Sequence, residues 1–468
     1  MTDSNLNPLC VDLDGTLIAT DSLWESILVL LRQNFWLSFL LPIWLLKGKA
    51  YFKYQIAQHS SLDIATLPYN QQVLDFLRQV KDRKLVLATA ANQKIADAVA
   101  EHLQLFDEVI ASDKQINMIG ITKRDYIQQK FGTYSYIGDS KADIPILQAA
   151  EEAYLVAPSS FLQQQCQAKQ IFSAPKATWK TWIKALRPHQ WVKNVLIFLP
   201  LILAHQILDT ARLVDTMLAF LAFSMMASAG YVLNDLLDLA ADRVHPSKRK
   251  RPFASGKLSI QYGLPIFIVL ISIGFFISLC WLSLDFTGML ALYLLITMTY
   301  SFYLKKKLVV DVIVLAGLYT HRILAGGLAA SVEVSSWLLA FSMFMFMSLA
   351  LLKRYVELRH LTNKKKVRNR GYEIGDINMV ANIGPTSGYL AILVFSLYIS
   401  SEKVTTLYSS PFILWLTCPL LLYWITRIWF LANRQQMLDD PVQFALTDKI
   451  SWLVVICSVI LISLATVI

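Results

Sequence analysis

The chain has 468 residues, of which 55% are apolar and 16% charged, and its mean hydropathy is +0.47. Soluble domains carry roughly a quarter charged residues, so this composition excludes a row of ordinary soluble domains and also excludes disorder. Much of the chain is expected to lie in lipid. The five cysteines are scattered without a CxxC pair or ligand spacing, so neither a disulfide framework nor a zinc site is predicted.

Charge divides the chain into two halves. Residues 1–172 contain 15 Lys and Arg against 18 Asp and Glu, a net charge of −3, whereas residues 173–468 contain 28 against 15, a net charge of +13. The total of +10 therefore belongs to the second half, where it indicates membrane loops and phosphate binding and argues against a nucleic-acid partner. The start of the chain has no basic n-region, so no signal peptide is predicted and the first half is expected to be cytoplasmic.

Four motifs follow one another in residues 1–172. A short apolar strand leads into DLDGT at residues 12–16, and a second apolar strand ends at the hydroxyl of Thr89. Lys123 comes next, and GDSKAD occupies residues 138–143. These motifs in this order resemble those of the haloacid dehalogenase (HAD) superfamily. The resemblance implies an α/β Rossmann-like domain over residues 1–172, with a helical cap at about residues 17–84.

The same resemblance implies a phosphatase, whose chemistry depends on positioning and on neutralising charge. Asp12 would be the nucleophile and Asp14 the general acid and base. Thr89 and Lys123 would bind the phosphoryl oxygens. Mg²⁺, which prefers oxygen ligands, would be held at a site formed by Asp12, Asp14 through its carbonyl, Asp139 and Asp143. A degenerate, non-catalytic HAD scaffold is the alternative.

The cap segment is unusually apolar. Residues 27–31 and 35–46 are almost wholly apolar, and Lys47, Lys49 and Lys53 follow. A single crossing of the membrane here would put the two halves of one catalytic site on opposite sides. We therefore expect cap helices that dip into the cytoplasmic leaflet, which indicates a lipid-linked phosphate as substrate. A cap that packs only on protein is the alternative.

Residues 173–194 form the predicted junction between the halves. Large apolar side chains recur at helical spacing, and lysines line another face of the same helix. This pattern is typical of a helix that lies in the membrane interface, with a soluble linker helix as the alternative. The apolar residues are Trp179, Trp182, Ile183 and Leu186, and the lysines are Lys176, Lys180 and Lys184.

Residues 195–468 are predicted to form an all-α membrane domain. A helix needs about 20 residues to cross the hydrocarbon, and nine apolar runs approach or exceed that length. Their loops hold 24 basic residues on one side and 2 on the other. Cytoplasmic loops are basic, so we expect a multi-pass inner (plasma) membrane protein with its C-terminus on the side opposite the cytoplasm. The runs are 195–208, 213–235, 259–281, 286–303, 308–330, 336–352, 379–400, 411–432 and 450–468.

The second run ends in a row of acidic residues. At 100° per residue, Asn234, Asp235, Asp238 and Asp242 share an arc of about 100°. Clustered carboxylates at a membrane boundary repel one another unless a cation joins them. The run resembles the first Asp-rich motif of the UbiA superfamily of intramembrane prenyltransferases, which implies Mg²⁺ bridging to a pyrophosphate. A solvated acidic helix end is the alternative.

Aromatic prenyltransferases of that superfamily carry a second Asp-rich motif after the sixth span, and here the corresponding loop is basic. Guanidinium and ammonium groups bind phosphates directly. With the other basic loops, residues 185–468 look like the decaprenyl-phosphate phosphoribosyltransferase branch. Arg322, a charge inside a span, is expected to face the cavity near Asp311. The predicted phosphate-binding residues are Arg187, Lys193, Asn194, His245, Lys248, Arg249, Arg251, Lys305, Asp311, Arg322, Lys353, Arg354 and Arg370.

Together the two halves predict a bifunctional membrane enzyme for cell-surface polysaccharide synthesis. Polyprenyl phosphate would attack C1 of phosphoribosyl diphosphate, and the HAD domain would remove the 5-phosphate of the product. The alternative is prenyl transfer from a polyprenyl diphosphate to an aromatic or other small acceptor. A non-enzymatic carrier or scaffold would leave two sets of metal-binding carboxylates unexplained.

Overall fold

The structure is a computed structural model, and it describes residues 7–173, 177–359, 371–401, 404, 408–437 and 440–467. The chain forms two compact units. The first contains Met1–Arg187 together with Tyr231–Ile268, and the second contains Pro188–Gly230 together with Val269–Ile468. The Asp-rich run therefore lies in the same unit as the N-terminal domain.

A six-stranded parallel sheet organises the first unit. Its strands are β1 (Leu9–Val11), β2 (Leu85–Asn92), β3 (Glu108–Ser112), β4 (Ser135–Gly138), β5 (Glu152–Val156) and β6 (Ala168–Phe172). Their order is β3-β2-β1-β4-β5-β6, and Leu9 lies opposite both Leu85 and Ser135. The strand order changes direction at β1, and ligands of such sheets bind where the carboxyl ends of the strands meet at this point. The α/β Rossmann-like prediction is confirmed.

The cap consists of short helices after β1. Its inner side chains Leu30, Trp44 and Ile56 pack on one another. Its outer surface is apolar and exposed, with Trp36 at 80% and Leu46 at 88% of full exposure. The helices are α1 (Ser22–Gln33), a 3₁₀ helix (Phe35–Leu40), α2 (Leu41–Leu46) and α3 (Lys49–His59).

Helices cover both faces of the sheet, which explains why its strands are continuous apolar runs. Leu9 packs in a cluster with Val73 and Val99, whereas Cys10 faces the other side and packs in a cluster with Ile127. The helix that carries Val73 lies within the predicted cap segment and packs on the sheet core. These helices are α4 (Gln71–Gln79), α5 (Gln93–Leu103), α6 (Ile121–Phe131), α7 (Ile144–Ala149) and α8 (Ser160–Gln165).

The first unit ends in α9 (Trp179–Leu186) and also includes the segment Tyr231–Ile268. In α9, Thr181 and Ala185 are buried, and Trp179 and Ile183 are exposed. Lys176, which the sequence pattern assigns to the same helix, lies outside the described residues. The segment contains the end of the helix Thr210–Leu237, the helix Leu239–Val244, the 3₁₀ helices Lys248–Lys250 and Ile260–Tyr262, and the start of the helix Gly263–Trp281.

Eight helices in the described residues are long and apolar enough to cross a membrane, one fewer than the nine predicted. Residues 195–208 fall in a 3₁₀ helix, Pro188–Phe198, and a five-residue α-helix, Leu199–Leu203. Pro200, in the first turn of this α-helix, lacks the amide hydrogen that a longer continuous helix would need. The left-handed backbone of His205 then ends the helix. The eight are Thr210–Leu237, Ile260–Trp281, Leu284–Phe302, Val310–Ala330, Ser336–Arg359, Ile374–Ile399, Pro411–Asn433 and Lys449–Val467.

Small residues let the helices of the second unit pack closely, as is usual in membrane domains. A Cβ atom on Gly326 would lie 2.0 Å from the carbonyl oxygen of Ile197, so the 3₁₀ helix lies directly against the helix Val310–Ala330. A Cβ atom on Gly384 would collide in the same way with the indole ring of Trp429. The first of these contacts packs the 3₁₀ helix that carries Asn194 against the helix that carries Arg322.

Candidate active site

The carboxyl ends of β1 and β4 bring two acidic loops together. Asp12 directly follows β1 and Asp139 directly follows β4, and the amide of Asp12 donates to the carbonyl of Ile137 at 3.0 Å. Gly15 has a φ of +76°, and a Cβ atom there would lie 2.1 Å from a carboxylate oxygen of Asp139. A glycine is therefore required for the two loops to approach this closely.

Asp12, Asp139 and Asp143 form a carboxylate cluster. One carboxylate oxygen from each lies within 4.8 Å of the others, and no other group of three such ligands is this compact in the described parts of the chain. Burial raises the pKa of Asp12 to about 6 and that of Asp139 to about 8. Ionising these neighbouring buried carboxylates together costs free energy, and a divalent cation would offset that cost. Because Mg²⁺ prefers oxygen ligands, the residues fit Mg²⁺.

Lys123 joins two members of this cluster. Its ammonium lies 3.0 Å from Asp12 and 3.2 Å from Asp143, and it donates to the hydroxyl of Tyr136 at 2.6 Å. Burial alone would lower the pKa of Lys123, but the two carboxylates outweigh it and raise that pKa. Burial alone would likewise raise the pKa of Asp143, but Lys123 keeps it below its ordinary value. Lys123 is therefore a fixed positive charge beside the predicted nucleophile.

Asp14 belongs to the same loop but has a different environment. Its two carboxylate oxygens accept hydrogen bonds from the amide and the hydroxyl of Ser22, at 2.7 and 3.0 Å. Burial, and then the nearby charge of Asp21, raise the pKa of Asp14 well above its ordinary value. A carboxyl group that tends to keep its proton suits a general acid.

Thr89 lies behind the cavity and not on its surface. Its side chain is fully buried, and its hydroxyl accepts the amide hydrogen of Ala91 at 3.0 Å. The cavity is lined at this point by Ala90, Ala91 and Asn92. The role of Thr89 in binding phosphoryl oxygens stays a prediction.

A cavity of about 540 Å³ opens above the carboxylates, and its lining includes residues from the motifs and from the cap. Lys53 of α3 reaches it and donates to the carbonyl of Ala90 at 2.6 Å and to Asn117 at 2.9 Å. Burial lowers the pKa of Lys53, although Asp14 and Asp21 oppose this effect. The sequence indicated no role for Lys53, because only the fold brings α3 to the motifs.

The Asp-rich run of the first unit is held by arginines. Arg251 contacts both Asp235 and Asp242, and Arg187 lies 3.0 Å from Asp235. A shared partner means that Asp235 and Asp242 face the same way, as their spacing indicates. Burial raises the pKa of Asp242 to about 6, against the opposing effect of Arg251. These oxygens have the right chemistry for Mg²⁺, and an ion bound to both would take the place of Arg251.

The other predicted residues lie at a break in this run and in the turn that follows it. Asp238 lies at the break between the helices Thr210–Leu237 and Leu239–Val244, and its amide donates to the carbonyl of Asn234. The ring nitrogen Nδ1 of His245 accepts from the amide of Lys248 at 3.4 Å. Arg249 is exposed. His245 thus stabilises the turn that presents the basic residues.

In the second unit, two predicted lysines meet on one carboxylate. Lys193 and Lys353 lie 3.2 and 3.4 Å from the same oxygen of Asp440. Burial alone would raise the pKa of Asp440, but the two lysines hold it well below its ordinary value. Asp440 was not predicted as a site residue, although an aspartate before Pro441 is a recognisable helix start.

Asp311 pairs with Arg354 and not with Arg322. The guanidinium of Arg354 lies 2.8 Å from Asp311, both side chains are buried, and the hydroxyl of Tyr372 donates to Asp311 at 3.0 Å. Asp311 and Arg322 share a helix face, but eleven residues of α-helix separate them by about 16 Å along the axis. The expected proximity of Arg322 to Asp311 is therefore wrong.

Arg322 is instead held by neutral groups. It donates to the amide oxygen of Asn194 at 2.8 Å and to the hydroxyl of Tyr293 at 3.0 Å. The guanidinium also lies over the rings of Phe223, Tyr293 and Tyr319, an arrangement that stabilises a buried cation. Lys305 is buried as well. Arg370 lies outside the described residues.

Two known families match these two parts of the chain. The haloacid dehalogenase-like hydrolases match residues 9–148, and the UbiA prenyltransferase family matches residues 195–465. The molecule is thus an integral membrane transferase joined to a hydrolase domain. The chain belongs to the UbiA prenyltransferase family, and both predicted resemblances are confirmed.

Some relatives match nearly the whole chain, and others match about half of it. "Uncharacterized protein y4nM" of Sinorhizobium fredii is 37% identical over 459 residues, which cover 96% of this chain and 89% of that protein. "Nodulation protein NoeC" of Azorhizobium caulinodans is 38% identical over 279 residues, 59% of this chain and 90% of that protein. "Decaprenyl-phosphate phosphoribosyltransferase" of Corynebacterium glutamicum is 38% identical over 202 residues, 42% of this chain and 60% of that protein.

Proposed function

We propose that this protein transfers 5-phosphoribose from phosphoribosyl diphosphate to a polyprenyl phosphate and then removes the 5-phosphate. The product would be a lipid-linked pentose for a cell-surface polysaccharide. The observation that carries the proposal is that the HAD catalytic residues and the Asp-rich run of the transferase belong to one compact unit. The phosphoribosyltransferase names among the relatives supply the substrate class.

The phosphatase step follows from the geometry around Asp12. A carboxylate oxygen of Asp12 attacks phosphorus, the bond from phosphorus to the ester oxygen breaks, and Asp14 gives that oxygen its proton. Lys123 balances the charge of Asp12 and Asp143 during the attack. Water, deprotonated by Asp14, then hydrolyses the aspartyl phosphate and releases inorganic phosphate. Asp12, Asp139 and Asp143 would hold Mg²⁺, which would neutralise charge on the phosphoryl oxygens.

The transfer step uses the other predicted residues. A phosphate oxygen of the lipid attacks C1 of ribose, and the bond from C1 to the pyrophosphate oxygen breaks. Asn234, Asp235, Asp238 and Asp242 would hold Mg²⁺ on the leaving pyrophosphate and so favour its departure. We assign phosphate binding in the second unit to Lys193 and Lys353, because their two ammonium groups lie side by side at one oxygen of Asp440.

The outer surface of the cap supports a lipid-linked substrate. It exposes seven large apolar side chains, and Lys47 and Lys49 follow directly. Apolar surface beside basic residues is typical of a segment that enters the membrane interface, so we assign this surface to the lipid leaflet from which the phosphatase takes its substrate. The seven are Phe35, Trp36, Phe39, Leu40, Ile43, Leu45 and Leu46.

We also propose a cytoplasmic location for the phosphatase. Glu25 of the cap pairs with Arg243, so the phosphatase lies on the same side of the membrane as the basic residues 243–257. If the helix Thr210–Leu237 ends on that side, the chain has to cross the membrane before it, and we assign this crossing to Pro188–Leu203. Eleven 3₁₀ residues at about 2.0 Å and five α-helical residues at about 1.5 Å give about 30 Å, the hydrocarbon thickness. A ninth crossing by this route puts the C-terminus on the opposite side.

The transfer reaction can be tested directly. Purified protein in detergent, Mg²⁺, polyprenyl phosphate and phosphoribosyl diphosphate labelled in the ribose are expected to yield labelled lipid. The parallel reaction contains labelled polyprenyl diphosphate and an aromatic acid. Label incorporation only in the parallel reaction would establish the prenyltransferase alternative and overturn the proposal.

A further inference from the structure

The phosphatase cavity has a wall that the phosphatase motifs and the cap do not supply. Gly256, Ser259 and Gln261 line it together with Asp12 and Asp14. These three residues lie between the Asp-rich run and the helix Gly263–Trp281, so the family match assigns them to the transferase. We infer that residues 254–261, here called the transferase wall, determine the substrate specificity of the phosphatase by binding the sugar hydroxyls of a phosphorylated sugar.

Gly256 brings the backbone of the transferase wall against the loop of the first motif. Its φ is +70°, and a Cβ atom there would lie 2.8 Å from the carbonyl oxygen of Ala19 and 2.9 Å from the Cβ of Ala19. Ala19 follows the DLDGT run by three residues. Only glycine lets the backbone at residue 256 approach Ala19 this closely, so the transferase wall is part of the phosphatase pocket.

Gln261 fixes the other end of the transferase wall. Its amide donates to one carboxylate oxygen of Asp21 at 2.9 Å. The other oxygen of Asp21 accepts the amides of Leu23 and Trp24 and so caps α1. Ser22, the hydrogen-bond partner of Asp14, is the next residue after Asp21. Gln261 of the transferase wall thus binds the residue next to Ser22, and Ser22 hydrogen-bonds the predicted general acid Asp14.

A buried ion pair anchors the transferase wall to the cap. The side chains of Glu25 and Arg243 are 4% and 7% exposed, and Thr20 donates to Glu25 at 2.8 Å. The guanidinium of Arg243 also donates to the carbonyl of Ala254 at 3.2 Å. One arginine therefore connects the cap helix with the first residue of the wall.

The chemistry of the wall suits a sugar. The phosphoryl group of a substrate must lie at Asp12, so the remainder of the substrate lies toward the cap and the wall. There the hydroxyl of Ser259 and the amide of Gln261 supply neutral donors and acceptors, which match sugar hydroxyls. An aryl phosphate has no sugar hydroxyls, so it would contact only the residues around Asp12. The naming of a pentose phosphate as the sugar rests on the proposed function.

The test compares two substrates with the full-length protein and Mg²⁺: ribose 5-phosphate and p-nitrophenyl phosphate. The variant Ser259→Ala/Gln261→Ala is expected to lose at least about tenfold in kcat/KM for ribose 5-phosphate, mostly through KM, and less than twofold for p-nitrophenyl phosphate. Ser160→Ala/Gln163→Ala, on exposed positions of α8, is the matched control. Equal losses on both substrates, or no loss on either, would overturn the inference.

A second pair of variants tests the wall without removing its polar groups. Gly256→Ala must push against Ala19, whereas Gly132→Ala has a nearly equal φ of +72° and open space around it. Gly256→Ala is expected to reproduce the selective loss, and Gly132→Ala is not. The wild type is also assayed with hexose phosphates and glycerol phosphate. If it hydrolyses one of these but not ribose 5-phosphate, the proposed pentose substrate fails, and the variants are then compared on the phosphate ester that is hydrolysed. If it cleaves only p-nitrophenyl phosphate, the wall inference fails.

Discussion

Glu25 and Arg243 form a buried ion pair across 218 residues of sequence, one from the phosphatase cap and the other from the segment after the Asp-rich run. A charge that loses its partner in such a pair stays buried and uncompensated, which typically costs about 3–5 kcal/mol. The pair therefore makes the folding of the phosphatase depend on a segment of the transferase.

The variant Glu25→Gln is expected to unfold at a lower temperature than the wild type, because Arg243 loses its counter-charge. The exchange Glu25→Arg/Arg243→Glu should recover part of the loss. Asp75→Asn, which breaks an exposed pair with Arg78, is the control and should change the free energy of unfolding by less than about 1 kcal/mol. Equal thermal stability of Glu25→Gln and Asp75→Asn would contradict the assigned role of the pair.

Magnesium binding to the phosphatase should depend on pH. The pKa values raised to about 6 for Asp12 and about 8 for Asp139 mean that protons occupy the apo site increasingly as the pH falls from 8 to 6. Mg²⁺ must displace those protons. The Mg²⁺ concentration for half-maximal hydrolysis of p-nitrophenyl phosphate is expected to rise at least about tenfold over this range. A constant half-maximal concentration would show that the carboxylates are already ionised.

Gly15→Ala should abolish phosphatase activity while the protein stays folded. The new methyl group would occupy the position of the Asp139 carboxylate, which must then move away from Asp12. Activity is measured with p-nitrophenyl phosphate at saturating Mg²⁺, and folding by thermal unfolding. Gly132→Ala, at a similar φ of +72° and with nothing within 4 Å of the added Cβ, is the control, and equal activity of the two variants would contradict the assigned packing.

Lys53→Met should weaken substrate binding more than catalysis. The ammonium of Lys53 reaches the cavity from the cap but lies outside the pair formed by Lys123 and Asp12. We expect KM for ribose 5-phosphate to rise about tenfold with kcat changed less than threefold, since the lost contact binds substrate and transition state alike. Lys123→Met should instead lower kcat. If Lys53→Met lowered kcat and left KM unchanged, Lys53 would instead act in the chemical step.

Asp440→Asn should separate the two activities. Removal of this carboxylate leaves Lys193 and Lys353 as neighbouring like charges, which changes the cations that we assign to phosphate binding in the transferase. Ribose transfer to lipid is expected to fall at least about tenfold, and hydrolysis of p-nitrophenyl phosphate to stay the same. An equal loss of both activities would mean a general folding defect, which thermal unfolding would reveal.

Two of the phosphatase motifs could be predicted because each lies at the end of a strand in the sequence. DLDGT and GDSKAD lie at the carboxyl ends of neighbouring parallel strands, and that topology alone brings Asp12 and Asp139 together. Lys53 and Gln261 could not be predicted in the same way. They reach the cavity from a cap helix and from a segment over two hundred residues away, and no local pattern specifies that contact.

In the membrane domain the sequence predicted residue types better than partners. The positions of Asp235 and Asp242 on one face follow from helical spacing, and Arg251 contacts both. The expected proximity of Arg322 to Asp311 was wrong because eleven residues of α-helix separate the two by about 16 Å along the axis. Asn194, Phe223 and Tyr293, which hold Arg322, come from other helices, so only the packing identifies them.

The central claim is that the two domains act in sequence on one lipid product. Phosphoribosyl diphosphate with ¹⁴C in the ribose and ³²P in the 5-phosphate is incubated with polyprenyl phosphate, Mg²⁺ and either the wild type or Asp12→Asn. We expect lipid with ¹⁴C alone and free ³²P-phosphate from the wild type, and lipid with both labels from Asp12→Asn. Asp75→Asn should behave as the wild type. Lipid that retains both labels with the wild type would show that the phosphatase does not act on the product of the transferase.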